Sequence, residues 1–187
     1  MKLIDKLVET SQRPLSPKNQ FVARVLPVFV FFFFFPALLF IIPSFVFDKC
    51  LQLPTLLSFP TRIILGGVLI ALGFYFLVSS TRAQREIGKG TPMPLKATGK
   101  LVVEKPYSYC RNPLYFGLIN FFLGISIMIG SISSLVMVFV FSVIIVSYIK
   151  LVEEQELEKR YGDEYVTYKK KTPFLIPVPS FLRSYKK

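Results

Sequence analysis

The sequence predicts an all-α integral membrane protein with four transmembrane helices, and three observations predict it. Hydrophobic residues make up 52% of the 187-residue chain and charged residues 18%, too apolar a balance for an ordinary soluble domain of this length. Three long stretches, Val25 to Phe47, Ile63 to Thr81 and Asn112 to Ile149, carry no formal charge, and the last approaches twice the roughly 20 residues that one spanning helix needs. All but Lys49 and Arg62 of the 23 lysines and arginines fall in Met1 to Arg24, Ser80 to Arg111 or Lys150 to Lys187. The positive-inside rule makes those three blocks cytoplasmic, both termini included, and leaves Lys49 on the other side. A single membrane domain, 1–187, is expected, with spans near 25–47, 63–81, 113–130 and 132–149. Its cytoplasmic segments are 82–112 and 150–179.

Taken in order, Leu3, Ile4, Leu7 and Val8 form an apolar stripe among charges in Met1 to Arg24, the pattern of a short helix lying on the interface. Pro14 and Pro17 end it. The uncharged run from Val25 is too long for a signal-peptide core, so it reads as a retained span. Pro36 within it should kink the helix and free a carbonyl for another partner. The phenylalanines Phe31 to Phe35 read as lipid-facing bulk, and Asp48 to Pro60 as a short outer loop. In the second span Gly66, Gly67 and Gly73 place a small-residue patch against a neighbouring helix. Gly88-Lys89-Gly90-Thr91-Pro92 has no strand before it and no regular helix can follow its prolines, so it is a lid or linker rather than a nucleotide loop. Lys100 to Val103 is a short extended candidate. Asn112 to Ile149 divides into two spans at Gly130-Ser131-Ile132-Ser133-Ser134, where small polar residues permit a tight turn. Beyond it, Leu157, Tyr161, Tyr165 and Tyr168 recur at helical spacing on one aromatic, amphipathic face. Pro173, Pro177 and Pro179 exclude further helix, and Phe174 to Ile176 with Phe181 and Leu182 read as an interfacial anchor.

The net charge of +12 follows topology, and its expected partner is the anionic surface of the lipid bilayer, with no nucleic acid. Cys50 and Cys110 fall on opposite expected sides, so no bridge joins them. With no histidine and no paired-cysteine spacing, the usual zinc sites and histidine triads are not expected, and no metal is assigned.

Chemistry concentrates where a basic loop turns abruptly into the last uncharged run, Lys105 to Gly117. Gly99-Lys100-Leu101-Val102, Tyr107, Arg111-Asn112-Pro113-x-Tyr115-x-Gly117, Glu153-Glu154-x-x-Leu157 and Tyr161-Gly162-x-x-Tyr165-x-x-Tyr168, closed by a proline segment, resemble the isoprenylcysteine carboxyl methyltransferase family. The related membrane phospholipid methyltransferases share part of the pattern. The resemblance covers roughly Gly88 to Pro179. It implies an enzyme that takes S-adenosylmethionine between its last two spans and methylates a lipidic or prenylated substrate entering from the bilayer. By the same resemblance Lys100, Leu101, Val102, Tyr107, Asn112, Pro113, Leu114, Tyr115 and Glu153 contact the cofactor, and Arg111 and Glu154 are the candidate catalytic residues. Two departures stand out. Asn112 replaces the family's histidine, and the basic residue that carboxyl methyltransferases place before the glutamate pair is out of register, Lys150 being nearest.

The residues support that type of chemistry independently. Methyl transfer from a sulfonium is an in-line displacement in which positive charge disappears, so alignment and desolvation supply much of the help. Tyrosine rings suit a sulfonium, and a carboxylate suits hydroxyl or ammonium donors. The leading expectation is carboxyl O-methylation, with phospholipid N-methylation the alternative. A non-enzymatic membrane adaptor explains the spans but not the clustering of Tyr, Arg, Asn and Glu. The membrane itself, a bacterial inner membrane or the endoplasmic reticulum, stays open.

Overall fold

The computed structural model describes residues 29–30, 34–88 and 100–178. The expected N-terminal interfacial helix, the start of the first span, most of the Gly88 to Pro92 loop, Gly99, Pro179, Phe181 and Leu182 lie outside them. The described residues are helical, with no strand among them, so Leu101 to Val103 is an irregular segment. Helix α1 is Phe59–Glu86, α2 is Pro113–Ile129 and α3 is Ile132–Tyr148, followed by a π-helical turn Ile149–Glu153 and helices α4, Glu154–Tyr161, and α5, Asp163–Lys171. At about 1.5 Å per residue, the 28 residues of α1 reach about 42 Å, beyond the roughly 30 Å of a hydrocarbon core. Among the described residues two helical runs are long and apolar enough to cross a membrane, α1 and the continuous run Ile132–Tyr161; α2 is apolar but shorter. Large side chains such as Ile64, Val68, Phe74, Phe139 and Ile144 stand exposed on α1 and α3, as expected of helix faces solvated by lipid.

The described residues form two compact units. One holds those of Gly73–Leu118 and those from Ile145 on; the other holds those up to Leu72 together with Ile119–Ile144.

In the second unit the described part of the first expected span winds as π-helix over Ala37–Ile41 and Pro43–Phe47, where an ordinary kinked α-helix was expected. Pro43 stands at the first position of the second π-helical stretch, where its missing N–H costs little, and Ser134 Oγ donates to the Leu39 carbonyl at 2.7 Å. Phe35, expected to face lipid, instead packs its ring on Phe122 and Phe141 at centroid distances of 6.0 and 4.9 Å. The turn between α2 and α3 is capped at both ends by charges from elsewhere in the chain. Arg62 donates to the Ile129 carbonyl at 3.1 Å, and the Ser133 N–H donates to the Asp48 carboxylate at 3.0 Å. A cation at a helix C-terminus and an anion at an N-terminus both complement the helix dipole. Gly130 makes the turn itself at φ 80°, a backbone conformation that a side chain strains. Of the glycines expected to pack, Gly66 does: a Cβ there would lie 2.7 Å from the Gly124 carbonyl oxygen. Gly67 does not, since nothing lies within 4 Å.

In the first unit Gly73 and Gly117 approach as closely, with 2.8 Å from a Cβ on Gly117 to the Gly73 carbonyl. The expected single amphipathic helix after α3 is two, divided at Gly162, φ 56°. That break replaces the expected Leu157–Tyr168 stripe by two buried faces, Glu154 and Glu156 on α4 and Tyr165 and Tyr168 on α5. Glu156 is buried and paired with Arg160.

Candidate functional site

All the site residues expected from sequence belong to the first unit, and the structure sorts them into two constellations. The first is a polar clamp around Arg111. Its guanidinium donates to the Lys169 carbonyl at 2.6 Å, the Thr172 carbonyl at 3.1 Å and Glu154 Oε1 at 2.7 Å. Glu154 takes Lys169 on its other oxygen at 3.0 Å, and Lys169 also reaches Glu158 at 2.6 Å. The Glu158 bond, with Glu154 and against burial, holds the Lys169 ammonium above its ordinary value. The clamp fastens the segment after α5. The Arg111 N–H donates to the Pro173 carbonyl at 2.8 Å and the Val178 N–H to the Tyr109 carbonyl at 3.0 Å. Asn112 Nδ2 donates to the Phe174 carbonyl at 2.9 Å. The Phe174 ring carries two cations, the Lys150 ammonium at 5.0 Å and the Arg111 guanidinium at 5.6 Å from its centroid, an attraction that strengthens as water is excluded. The segment expected as an interfacial anchor is thus strapped across the loop that precedes α2.

The second constellation is a cluster of phenols around one carboxylate. Tyr115, two residues into α2, donates its hydroxyl to Glu153, whose Oε2 is buried without a partner. Burial pushes the Glu153 carboxyl up to about 7; the Tyr115 bond lowers it and the charges of Glu156 and Glu154 raise it further. Tyr107 is buried, and its phenol lies above its ordinary value, first through burial and then through the charge of Glu153. Gln84 Nε2 donates to Tyr107 Oη at 2.5 Å, and Tyr168 Oη donates to the Tyr107 carbonyl at 2.7 Å. Val102 packs with Ala83, Tyr107 and Ile87. Lys100 is exposed, Leu101 and Leu114 are half-buried, and Pro113 is buried.

The adjacent glutamates therefore have different partners. Glu154 meets Arg111 and Glu153 meets Tyr115. Asn112 also turns away from Tyr115, to the strap. The π-helical turn Ile149–Glu153 accounts for this: one extra residue per hydrogen-bonded ring rotates α4 away from the faces an unbroken α-helix would present.

Gln84 and Ser80 escaped the sequence reading, and Tyr168, legible only as part of an aromatic face, holds the Tyr107 backbone. Gln84 stands between Arg82 and Arg85 and reads as a solvated helix end. The available signal was the continuation of one face of α1 from Gly73 and Phe76 to Ser80, Ala83, Gln84 and Ile87. Small, apolar and uncharged residues recur there every three or four positions.

The unpartnered Glu153 oxygen beside two phenol rings fits a ligand that brings hydroxyl or ammonium donors and a delocalised positive charge. Residues 61–164, more than half the chain, match the model of a family described as phospholipid methyltransferase. No curated protein and no solved structure matches the chain.

Proposed function

The chain belongs to the phospholipid methyltransferase family, and from that premise we propose that it is an S-adenosylmethionine-dependent enzyme methylating an amine on a lipid at a membrane surface. It is an integral membrane protein of a methyltransferase family, with all-helical architecture in its described residues. The carrying observation is the state of the charges in the first unit. Arg111 and Lys169 are both neutralised by carboxylates, while Glu153 keeps a buried oxygen without a partner. A carboxylate acceptor would find these cations spent, whereas a neutral amine needs no cation to hold it and leaves the Glu153 oxygen to the cofactor's donors.

S-adenosylmethionine supplies an electrophilic methyl group on a sulfonium when bound. Tyr107, Tyr115 and Glu153 would hold it, with Lys100, Leu101, Val102 and the run Asn112, Pro113, Leu114 as the adjoining wall. The two phenol rings attract positive charge. The Tyr115 hydroxyl fixes one Glu153 oxygen and leaves the other to a ligand donor. Arg111 and Glu154, expected as catalytic residues, act as positioning residues, because their atoms are committed to each other, to Lys169 and to the strap carbonyls. By fastening 172–178 they keep water from the phenols and preserve alignment, the main source of rate in a displacement of this kind.

Two further parts of the proposal concern the membrane. The chain forms one membrane domain of four spans, with both termini cytoplasmic, in a bacterial inner membrane or the endoplasmic reticulum. The second reading, carboxyl O-methylation of a prenylated substrate, is favoured by Lys150, which is exposed over Phe174 and bonded to no carboxylate among the described residues. Incubating membranes with methyl-labelled cofactor separates the two. Label in a base-stable lipid N-methyl group supports the proposal; label released by mild base as methanol supports the ester reading, and no transfer to either refutes both.

A further inference from the structure

Three consecutive hydroxyl residues on α1 behave differently. Ser79 Oγ donates to the Tyr75 carbonyl at 2.7 Å and Thr81 Oγ1 to the Leu77 carbonyl at 2.7 Å, the usual back-bond of a helical hydroxyl to the preceding turn. Ser80, between them, is fully buried and its Oγ has no partner. One turn on, Gln84 gives its Nε2 to Tyr107, and its Oε1 is likewise buried and without a partner. Residues four apart share a helix face and lie roughly 6 Å from one another, so the two atoms form a short polar row. Through Tyr107, which accepts from Gln84 and feels the Glu153 charge, that row belongs to the same unit as the unpartnered Glu153 oxygen. Buried polar atoms nearly always find a partner, so two unpartnered ones a turn apart, one of them on the side chain that holds Tyr107, mark a face made for a ligand.

We propose that α1 is a further wall of the methyl-transfer site, on which Ser80 Oγ and Gln84 Oε1 bind a ligand presenting N–H or O–H groups about one helical turn apart. The inference rests on the methyltransferase reading above and adds to it residues that precede the whole run from Gly99 to Tyr168. Two molecules at such a site carry that chemistry: the cofactor, through its hydroxyl and amino groups, and the lipid acceptor, through its amine headgroup.

The test uses the full chain in detergent or lipid nanodiscs. S-adenosylmethionine affinity is measured by calorimetry, methyl transfer with phosphatidylethanolamine vesicles, and the ligand-free unfolding midpoint by a thermal scan, for wild type, Ser80→Ala and Gln84→Leu. Ser80→Ala removes no existing bond, so its ligand-free midpoint should hold or rise, while ligand binding weakens by about fivefold or more. A raised Kd for S-adenosylmethionine assigns the row to the cofactor; an unchanged Kd with a raised KM for phosphatidylethanolamine assigns it to the acceptor. Gln84→Leu should move the same parameter further, because it also releases Tyr107. If wild type binds S-adenosylmethionine and both variants match it in Kd and KM, the inference is overturned while the methyltransferase reading stands. A wild type that binds no S-adenosylmethionine removes both.

Discussion

Glu153→Gln separates what the carboxylate does to the fold from what it does for a ligand. Its folded pKa of about 7 stands above the ordinary 4.5, which at about 1.4 kcal/mol per pH unit sets a ceiling of about 3 kcal/mol. The sign depends on which state holds the proton more tightly. The folded protein does, so the contribution of Glu153 to stability is fully present below about pH 4.5 and is lost as pH rises through about 7. Above that point an ionised oxygen is buried without a partner, whereas glutamine is neutral at every pH and still accepts the Tyr115 hydroxyl. Ligand-free Glu153→Gln should therefore be more stable than wild type at pH 8 by up to about 3 kcal/mol, with the two converging toward pH 5. At about 2–4 °C per kcal/mol this is up to roughly 6–12 °C in midpoint. Cys110 is completely buried, so a maleimide dye in a Cys50→Ser background reports unfolding as that thiol appears. The same substitution should weaken S-adenosylmethionine binding by about tenfold at pH 8, because an acceptor for its donors is halved. Equal midpoints at pH 8 would refute the burden assigned to the buried carboxylate, and equal affinities would take Glu153 out of the site.

Other substitutions test the supports of the site and of the helices. Asn112→His should keep a ring N–H for the Phe174 carbonyl and be tolerated, whereas Asn112→Ala should lose about 1 kcal/mol and speed proteolysis between 172 and 178. Arg111→Gln should lower stability by about 3 kcal/mol by leaving Glu154 and two carbonyls short of a partner. The double variant with Glu154→Gln should lose less than the sum of the two single changes in a denaturation cycle. Gly66→Ala should cost about 1–3 kcal/mol, because the obstruction is the Gly124 backbone and cannot swing aside. Gly67→Ala meets nothing within 4 Å and should be neutral or slightly stabilising in the same thermal assay.

Helix existence was legible from residue order. The uncharged run from Ile63 became α1, extended at both ends by polar turns that still satisfy their backbone. The run from Asn112 divided at Gly130, as its small polar residues implied. Residue types at the site were legible too, in the ordered series from Gly99 to Tyr168. The first span was less so, because two prolines seven residues apart permit either a kinked α-helix or a wider winding, and local order does not choose between them. The same holds for Phe35, whose neighbours Phe122 and Phe141 lie far away in the chain.

What the sequence determined by itself is therefore whatever depends on near neighbours: the apolar helices, their breaks, the family, and the loop and helix ends at which polar chemistry gathers. Which side chain meets which was left to the tertiary structure. A count at 3.6 residues per turn carries no information about the π-helical turn at Ile149–Glu153, yet that turn sends Glu154 to Arg111 and Glu153 to Tyr115. The same applies to Ser80 and Gln84. Nothing in their own stretch of helix separates a solvated amide from a buried one, and only the packing of Val102 and Tyr107 against Ala83 removes water from that face and leaves its polar atoms unpartnered.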